Sequence, residues 1–275
     1  MTNPWLNRGK SETKPNVDRR KSEPVSGQER SPVANAGEVR WYGLNAIKTA
    51  FARRPDDIRK VYVSQSRLKD LGDLLKWCAE NRVGYRVVDD VDLEKLAKSQ
   101  HHEGVVADIR KQPILELQDW IDAQQGDRVC ALWLDGVGNP HNLGAIIRSA
   151  AHFGATAILV SQRSNLMVSG AAARVAEGGA EYVQLVHLRE RDLDSLTVLK
   201  RNEFSTFATV VEGGNNLFET SVPPKVVFIL GAEGEGMDRS LAELADQRIS
   251  IPGTGNVESL NVANAAAVLL SRISS

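Results

Sequence analysis

Apolar residues recur along this chain with helical and strand periods in alternation, a pattern that predicts an α/β protein. From Glu38 onward the apolar positions predict three helices and three strands. In chain order these are helix 42–51, strand 58–63, helix 68–81, strand 85–88, helix 92–99 and strand 104–109. Such alternation over about 70 residues indicates a small α/β domain.

A second alternating series begins at Val129 and continues to the end of the chain. Its aliphatic and β-branched runs are typical of strands that are buried on both faces. The predicted elements are strand 129–134, helix 143–153, strand 156–160, helix 169–177, strand 182–186, helix 192–201, strands 204–211, 226–230 and 248–252, and a last helix that opens near residue 261. We therefore predict a mostly parallel sheet with helices on both faces.

Composition divides the chain into four parts. Residues 1–37 hold almost no large apolar group after Leu6, so they cannot offset the entropy of ordering, and we predict a disordered basic tail. Residues 38–110 and 128–275 are predicted as two domains, joined by a linker over 111–127. The linker also allows a docked helix, through its apolar residues Leu115, Leu117, Trp120 and Ile121.

Hydropathy, cysteine usage and charge narrow the class of protein. No apolar run approaches the roughly 20 residues of a membrane span, and the start is too polar for a signal peptide. Cys78 and Cys130 have no partner at metal-ligand spacing, so we predict buried free thiols, no metal and a cytoplasmic location. Residues 38–110 carry 14 Lys/Arg against 12 Asp/Glu, whereas residues 111–275 carry 13 against 19. The basic front half suggests an anionic partner.

The first candidate site follows the strand at Val129 and reads DGVGNPHNLGAIIR over residues 135–148. Asn142 is placed to cap a helix, whose first turn offers free backbone N–H groups to an anion. Arg148 lies further along the same helix. The alternative is structural: Asn142 only caps the helix, and Arg148 is a surface cation.

Two further loops follow the late strands. Residues 231–236 read GAEGEG, which is neither the dinucleotide fingerprint nor a phosphate loop. This pattern indicates either backbone that closely approaches a ligand or a tight turn with a charged rim. Residues 251–267 read IPGTGNVESLNVANAAA and place Asn261 and Asn264 on a helix that otherwise looks buried, where amides need partners.

Taken in order, NPHNLGAIIR, LGAEGEG and IPGTGNVESLNV resemble the TrmH (SpoU) family of RNA ribose 2′-O-methyltransferases, in the SPOUT superfamily. The segment from Ser169 to Glu181 also looks like this family. Upstream, YGLNA at 42–46 and HEGVVA at 102–107 resemble its N-terminal RNA-binding extension, an α/β fold like some ribosomal proteins.

The resemblance implies a trefoil-knotted α/β domain that works as a homodimer through its C-terminal domain. It also implies S-adenosylmethionine as cofactor, held in the last two loops and in contact with Thr209, Leu230, Gly231, Gly234, Ile251 and Leu260. Arg148 matches the arginine that the family uses at the ribose, and the catalytic group around it would be Asn142, Glu233, Ser259 and Asn261. The front domain would carry tRNA or rRNA on Arg53, Arg54, Arg59, Lys60 and Arg67.

Three departures from the family pattern put activity in question. His141 stands where glycine is common, Glu258 precedes Ser259, and Ala263-Asn264 replaces the usual Ser-Val. The alternative function is therefore a catalytically weak RNA-binding paralogue that acts in ribosome or RNA assembly. A nicotinamide oxidoreductase is disfavoured, because the dinucleotide fingerprint is missing.

Overall fold

The described strands form two sheets, one from the front of the chain and one from Val129 onward. The structure, a computed structural model, describes residues 34–35, 37–161, 164, 166–189, 191–232, 234 and 236–273. Residues 1–33 of the predicted disordered tail lie outside the described residues. Among the described residues no helix is long and apolar enough to cross a membrane.

The strands are β1 (Glu38–Tyr42), β2 (Ile58–Val63), β3 (Gly84–Val87), β4 (Val105–Arg110), β5 (Val129–Asp135), β6 (Ala157–Val160), β7 (Gln184–His187), β8 (Ser205–Thr209), β9 (Asn215–Asn216), β10 (Lys225–Gly231) and β11 (Gln247–Ser250). The α-helices are α1 (Leu44–Arg53), α2 (Gly72–Glu80), α3 (Asp90–Ala97), α4 (Leu117–Asp122), α5 (Pro140–Phe153), α6 (Gly170–Val175), α7 (Asp192–Arg201), α8 (Arg239–Leu244) and α9 (Val262–Ser271). Short 3-10 turns occur at Pro55–Asp57, Gln65–Arg67 and Gly179–Glu181.

The first sheet has the order β1-β4-β2-β3, with β4 antiparallel to both of its neighbours. Strand β1 is absent from the prediction, which instead began a helix at Tyr42. The break falls at Gly43, whose φ of +100° ends the strand and redirects the chain into α1. Strand β1 is joined to its helix by one residue, so its last apolar residues, Trp41 and Tyr42, run directly into the helical pattern of α1.

The second sheet has the order β7-β6-β5-β10-β8-β11-β9, and every described strand pair in it is parallel. Alternate residues of β5 enter two different core clusters. Cys130, Leu132 and Leu134 pack with α5 and α9 on one face, whereas Ala131 and Trp133 pack with α4 and α7 on the other. The predicted parallel sheet with helices on both faces is therefore confirmed.

The two sheets meet along α6 and the turn Gly179–Glu181, which pack against β1 and α1. Gly170 lies so close to β1 that a Cβ there would sit 2.5 Å from the carbonyl oxygen of Arg40. Gly178 has a φ of +91°, and a Cβ there would overlap the Thr49 hydroxyl. The family-like segment from Ser169 to Glu181 is thus a contact surface between the two sheets, since its glycines admit the front domain's backbone and side chains.

Ion pairs fix the same contact. Nε of Arg54 donates to the Glu181 carboxylate at 2.9 Å, and the Glu181 side chain is only 1% exposed. Arg174 pairs with Glu103 at 3.1 Å, and Glu103 also accepts from the Leu44 N–H at the start of α1. A buried carboxylate is stable only when it is paired and hydrogen-bonded. These contacts therefore hold the first sheet in a defined position on the second.

The segment 111–127 contains α4, as its apolar residues allowed. Trp120 is fully buried, and its indole N–H donates to the Thr156 hydroxyl at 3.2 Å. Leu115 forms a parallel bridge with Val186, which prolongs the sheet beyond β7. This part of the chain is therefore docked on the second sheet along much of its length.

Candidate functional site

The loops that carry the sequence motifs meet at one edge of the second sheet. Strands β10, β8 and β11 are neighbours and parallel, so their carboxyl ends lie side by side. Thr209 ends β8, Gly231 ends β10, and Ile251 follows β11. Ligands of open parallel sheets bind at such carboxyl ends. The topology thus brings three of the predicted cofactor residues, Thr209, Gly231 and Ile251, to one edge of the sheet.

The glycine pattern of the loop after β10 is explained by the loop itself. Ala232 and Gly236 exchange two backbone hydrogen bonds of 3.0 Å each, which fold the loop into a tight turn. Gly234 and Gly236 have φ values of +85° and +74°, and a Cβ at Gly231 would overlap the backbone of Gly236 and Met237. The close backbone approach is therefore made within the turn. Glu233, predicted to be catalytic, lies outside the described residues.

The loop from Ile251 to Asn261 is irregular and mostly exposed, and it ends in the cap of α9. Oδ1 of Asn261 accepts from the Ala263 N–H at 2.9 Å, which makes Asn261 the N-cap. The prediction of a buried Asn261 and Asn264 is wrong, because both residues are exposed while the opposite face of α9 packs on α5. Ser259 is also exposed and precedes the cap by two residues.

Helix α5 begins earlier than predicted. Asn139 is the N-cap, its side chain accepts from the His141 N–H at 2.9 Å, and Pro140 occupies the first helical position. Asn142 therefore does not cap α5 and lies within its first turn instead. Nδ2 of Asn261 donates to Oδ1 of Asn142 at 3.2 Å. The first and third sequence motifs are thus joined directly through their asparagines.

Arg148 lies on α5 six residues beyond Asn142, about 9 Å along the helix axis. It is exposed, and within the described residues no hydrogen bond or salt bridge engages its guanidinium. Its backbone is tightly fixed, because Gly179 lies so near that a Cβ there would sit 3.3 Å from the Cα of Arg148. A planar guanidinium on a rigid helix can bind a phosphate or a developing oxyanion through paired N–H groups.

The candidate cofactor residues differ in what they can offer a ligand. Leu230 is buried in the core, so only its backbone is near the sheet edge. The Thr209 hydroxyl donates to the Ile229 carbonyl at 2.7 Å and links β8 to β10. In the loops that follow β8 and β11, Val211, Val257 and Leu260 are exposed apolar residues, and Leu260 is 44% exposed. A flat purine binds through contact with apolar side chains and a few hydrogen bonds, which backbone groups can provide.

The predicted RNA-binding residues do not form one cluster. Arg59 and Lys60 lie at the start of β2 and Arg67 just beyond its end, so the strand's length separates them. Lys60 lies over the Tyr62 ring at 5.0 Å, and the pairing of β2 with β4 shifts its register between Ile58 and Lys60. Arg67 donates to the carbonyl of Glu103 and to Asp70.

Arg54 requires a correction. Its side chain is 13% exposed and is occupied by Glu181, by Asp57 and by the carbonyl of Arg110. It therefore stabilises the contact between the sheets, and its guanidinium is not presented to an RNA phosphate. Arg53, next to it, is exposed at the end of α1. Among the residues that the structure describes, no group of three His, Cys, Asp or Glu could hold a metal ion.

Comparison with protein families gives two matches. Residues 130–271 match the SpoU rRNA Methylase family, and residues 41–115 match the family described as RNA 2'-O ribose methyltransferase substrate binding. Together they cover most of both sheets and all the motifs described above.

Named relatives extend over most of the chain. The uncharacterized tRNA/rRNA methyltransferase YfiF of Escherichia coli O157:H7 is 40% identical over 235 residues, which cover 86% of this chain and 67% of that protein. The 23S rRNA (guanosine-2'-O-)-methyltransferase RlmB of Pasteurella multocida is 34% identical over 236 residues, 84% of this chain and 96% of its own. A solved structure shares the fold, that of the SpoU methyltransferase AviRb of Streptomyces viridochromogenes in complex with the cofactor AdoMet. Its TM-score is 0.71 at 24% identity, and the match covers 87% of this chain and 90% of that one.

Proposed function

The chain belongs to the SpoU rRNA methylase family, and from that premise we propose that it transfers a methyl group from S-adenosylmethionine to a ribose 2′-hydroxyl of tRNA or rRNA. The observation that carries this proposal is the contact of Asn261 with Asn142. It fixes the start of α5, and with it the helix of Arg148, against the loop that follows β11. The residues that the resemblance assigns to the ribose thus adjoin those assigned to the cofactor.

S-adenosylmethionine, when bound, supplies an electrophilic methyl carbon. We assign the adenine to the apolar surface of Leu260, Val257 and Ile251, with backbone groups of the loops after β8 and β10 as polar anchors. This assignment is supported by the exposure of Leu260 and Val257, at 44% and 71%. Covering exposed apolar side chains with a flat ligand removes apolar surface from water, which favours binding.

Arg148 acts on the ribose in this proposal. Arginine stays protonated in proteins, so it serves poorly as the base that removes the 2′-hydroxyl proton. Its guanidinium instead orients a phosphate beside the target and stabilises the alkoxide as negative charge develops. Asn142 and Asn261 hold the helix and loop in register, Ser259 and Glu233 complete the catalytic group, and a neighbouring group assists proton removal.

RNA reaches this site along the front domain through Arg53, Arg59, Lys60 and Arg67, without Arg54. The trefoil knot, the homodimer through the C-terminal domain and the cytoplasmic location stay predictions of the family resemblance. The domain limits 38–110, 111–127 and 128–275 likewise stay predictions.

Two measurements on the purified full chain test the function. Calorimetric titration with S-adenosylmethionine should give saturable heat, and the protein should transfer a labelled methyl group to total RNA from cells that lack the gene. Digestion of that RNA should release a 2′-O-methylated nucleoside. RNA binding without heat from the cofactor would instead favour the weakly catalytic paralogue. Heat without methyl transfer to any RNA would contradict the enzymatic proposal.

A further inference from the structure

A groove of about 600 Å³ lies between the two sheets and shares no lining residue with the strand-end site. Strand β1 and the end of α1 form one wall, and residues 180–185 form the other. The segment from Lys111 to Leu115 passes along it. The groove therefore belongs to the contact between the substrate-binding and methylase parts of the chain.

The acidic groups of this groove are neutralised by neighbours, whereas two of its cations are not. Glu181 pairs with Arg54 at 2.9 Å, and Asp57 pairs with Arg54 at 3.2 Å and with Arg110 at 3.0 Å. Arg53 and Lys111 are exposed, and neither forms a salt bridge within the described part of the chain. The groove consequently presents uncompensated positive charge, which suits an anionic ligand.

An exposed aromatic ring stands beside these cations. Tyr182 is 57% exposed although its neighbours Glu181 and Val183 are buried. The guanidinium of Arg53 lies over its ring at 5.0 Å from the centroid. Ile114 and Met167, also exposed, add apolar surface to the same groove. A ring with a stacked guanidinium and more than half of its surface open is a platform on which a base can stack.

We propose that this groove binds one or two unpaired nucleotides of the RNA, with a base against Tyr182 and phosphates at Arg53 and Lys111. The proposal rests on the proposed function and specifies its substrate as an RNA with a single-stranded stretch. An acidic peptide would satisfy the cations and leave the ring without a role. A continuous duplex keeps its bases stacked on each other and away from Tyr182. A cationic groove with an aromatic platform is the usual chemistry of single-strand binding.

The test measures binding of a fluorescein-labelled single-stranded RNA of about 12 nucleotides by anisotropy over a range of salt concentrations. Tyr182→Ala should weaken binding about 5- to 150-fold, since one stacked base is lost. Tyr182→Phe should bind like the wild type. Lys111→Gln should flatten the plot of log K against log salt by about 0.7. The quenching of a 2-aminopurine base in the RNA should be lost in Tyr182→Ala alone among these variants.

Matched controls separate the groove from general effects. Phe218→Ala removes a comparably exposed ring outside the groove, and Lys76→Gln removes an exposed lysine of α2. Both should keep the wild-type affinity and salt slope. Every variant should retain its melting temperature and its heat of S-adenosylmethionine binding. If Tyr182→Ala fails to fold, Lys111→Gln still reports on the groove, because its side chain is exposed.

The outcomes distinguish this proposal from the proposed function. Suppose that Tyr182→Ala and Lys111→Gln both keep the wild-type affinity and salt slope, while the parent protein transfers methyl groups. The proposed nucleotide site in the groove would then be wrong, and the proposed function would stand. A parent protein that binds the cofactor and no single-stranded RNA would also overturn the nucleotide site. Absence of both cofactor binding and RNA binding would overturn the groove together with the proposed function.

Discussion

The side chains of Asn142 and Asn261 meet at 3.2 Å although 119 residues separate them along the chain. Asn261 uses its oxygen to cap α9 and its NH₂ group to reach the first turn of α5. The contact therefore couples the packing of two helices to the geometry of the candidate site. This double use allows the structural and functional roles of Asn261 to be separated by substitution.

Asn261→Ser should keep the cap and lose the contact with Asn142, because serine caps helices about as well as asparagine but is too short to reach. The free energy of unfolding should change by less than about 0.5 kcal/mol. The methyl-transfer rate should fall about 5- to 100-fold, as for loss of one hydrogen-bond partner. Asn261→Ala should in addition lose about 1 kcal/mol of stability. A wild-type rate in Asn261→Ser, with urea unfolding unchanged, would make the contact dispensable for catalysis.

Arg148→Lys should reduce the methyl-transfer rate about 100-fold and leave the affinity for S-adenosylmethionine unchanged. Lysine keeps the charge but lacks the planar fork that orients phosphate and oxyanion together. Single-turnover methylation and calorimetry measure the two quantities. Arg201→Lys, at an exposed position of α7, is the matched control and should behave like the wild type. Near-full turnover in Arg148→Lys would rule out a geometric role for the guanidinium.

Much of this fold was predictable because its strands are buried. The apolar runs at β5 and β10 were predicted within a residue or two, and α7 was predicted with its observed ends. The N-cap of α5 could also have been predicted from the sequence. Proline favours the first position of a helix, so the asparagine directly before Pro140 is a better cap than Asn142. The contact of Asn142 with Asn261 was beyond sequence reasoning, because nothing local relates residues so far apart. The groove around Tyr182 was equally beyond prediction, because its walls come from different sheets.

Arg54→Ala should destabilise the protein by about 3–5 kcal/mol, because it leaves the buried carboxylate of Glu181 without its cation. The salt dependence of RNA binding should not change. Arg59→Ala, at an exposed position of β2, should do the opposite: its stability should stay within about 0.5 kcal/mol, and its salt slope should flatten. Urea unfolding and fluorescence anisotropy provide both readouts.

A double variant sharpens that comparison. Arg54→Met combined with Glu181→Leu removes both charges and retains apolar volume, so it should recover most of the stability that Arg54→Ala loses. If the double variant is as unstable as Arg54→Ala, the loss comes from packing or from the Arg110 carbonyl contact. In that case the ion pair would not be the cause.

Both cysteine thiols should be unreactive in the folded protein. Burial raises the pKa of Cys78 to about 11 and that of Cys130 to about 12, so neither forms appreciable thiolate at pH 8. Ellman's reagent should therefore label neither thiol in the native state and both in guanidinium chloride. Cys78→Ala and Cys130→Ala, measured separately, assign any residual reactivity. Rapid labelling of one thiol in the native protein would show that its site opens to solvent.

The stability of the second sheet should depend on pH through Asp246, which joins α7 to β8. Its carboxylate accepts from the N–H and the hydroxyl of Thr206, both at 2.9 Å, and from Lys200 at 2.8 Å. Burial by itself would raise the pKa of Asp246, but the hydrogen bonds with Lys200 and Thr206 outweigh it and hold this pKa below its usual value. The unfolded chain therefore binds the proton more readily than the folded one.

It follows that Asp246 stabilises the fold above the ordinary aspartate pKa of about 3.9, and that this stabilisation is lost as pH falls through the lower folded value. The difference in unfolding free energy between the wild type and Asp246→Asn should be largest near neutral pH and should shrink toward about pH 3, as urea unfolding at each pH would show. Glu243→Gln, whose exposed partner is Arg239, is the matched control and should change stability by less than about 0.5 kcal/mol. A difference for Asp246→Asn that stays constant with pH would mean that the side chain contributes through its shape, because an ionised carboxylate must lose its effect once it is protonated.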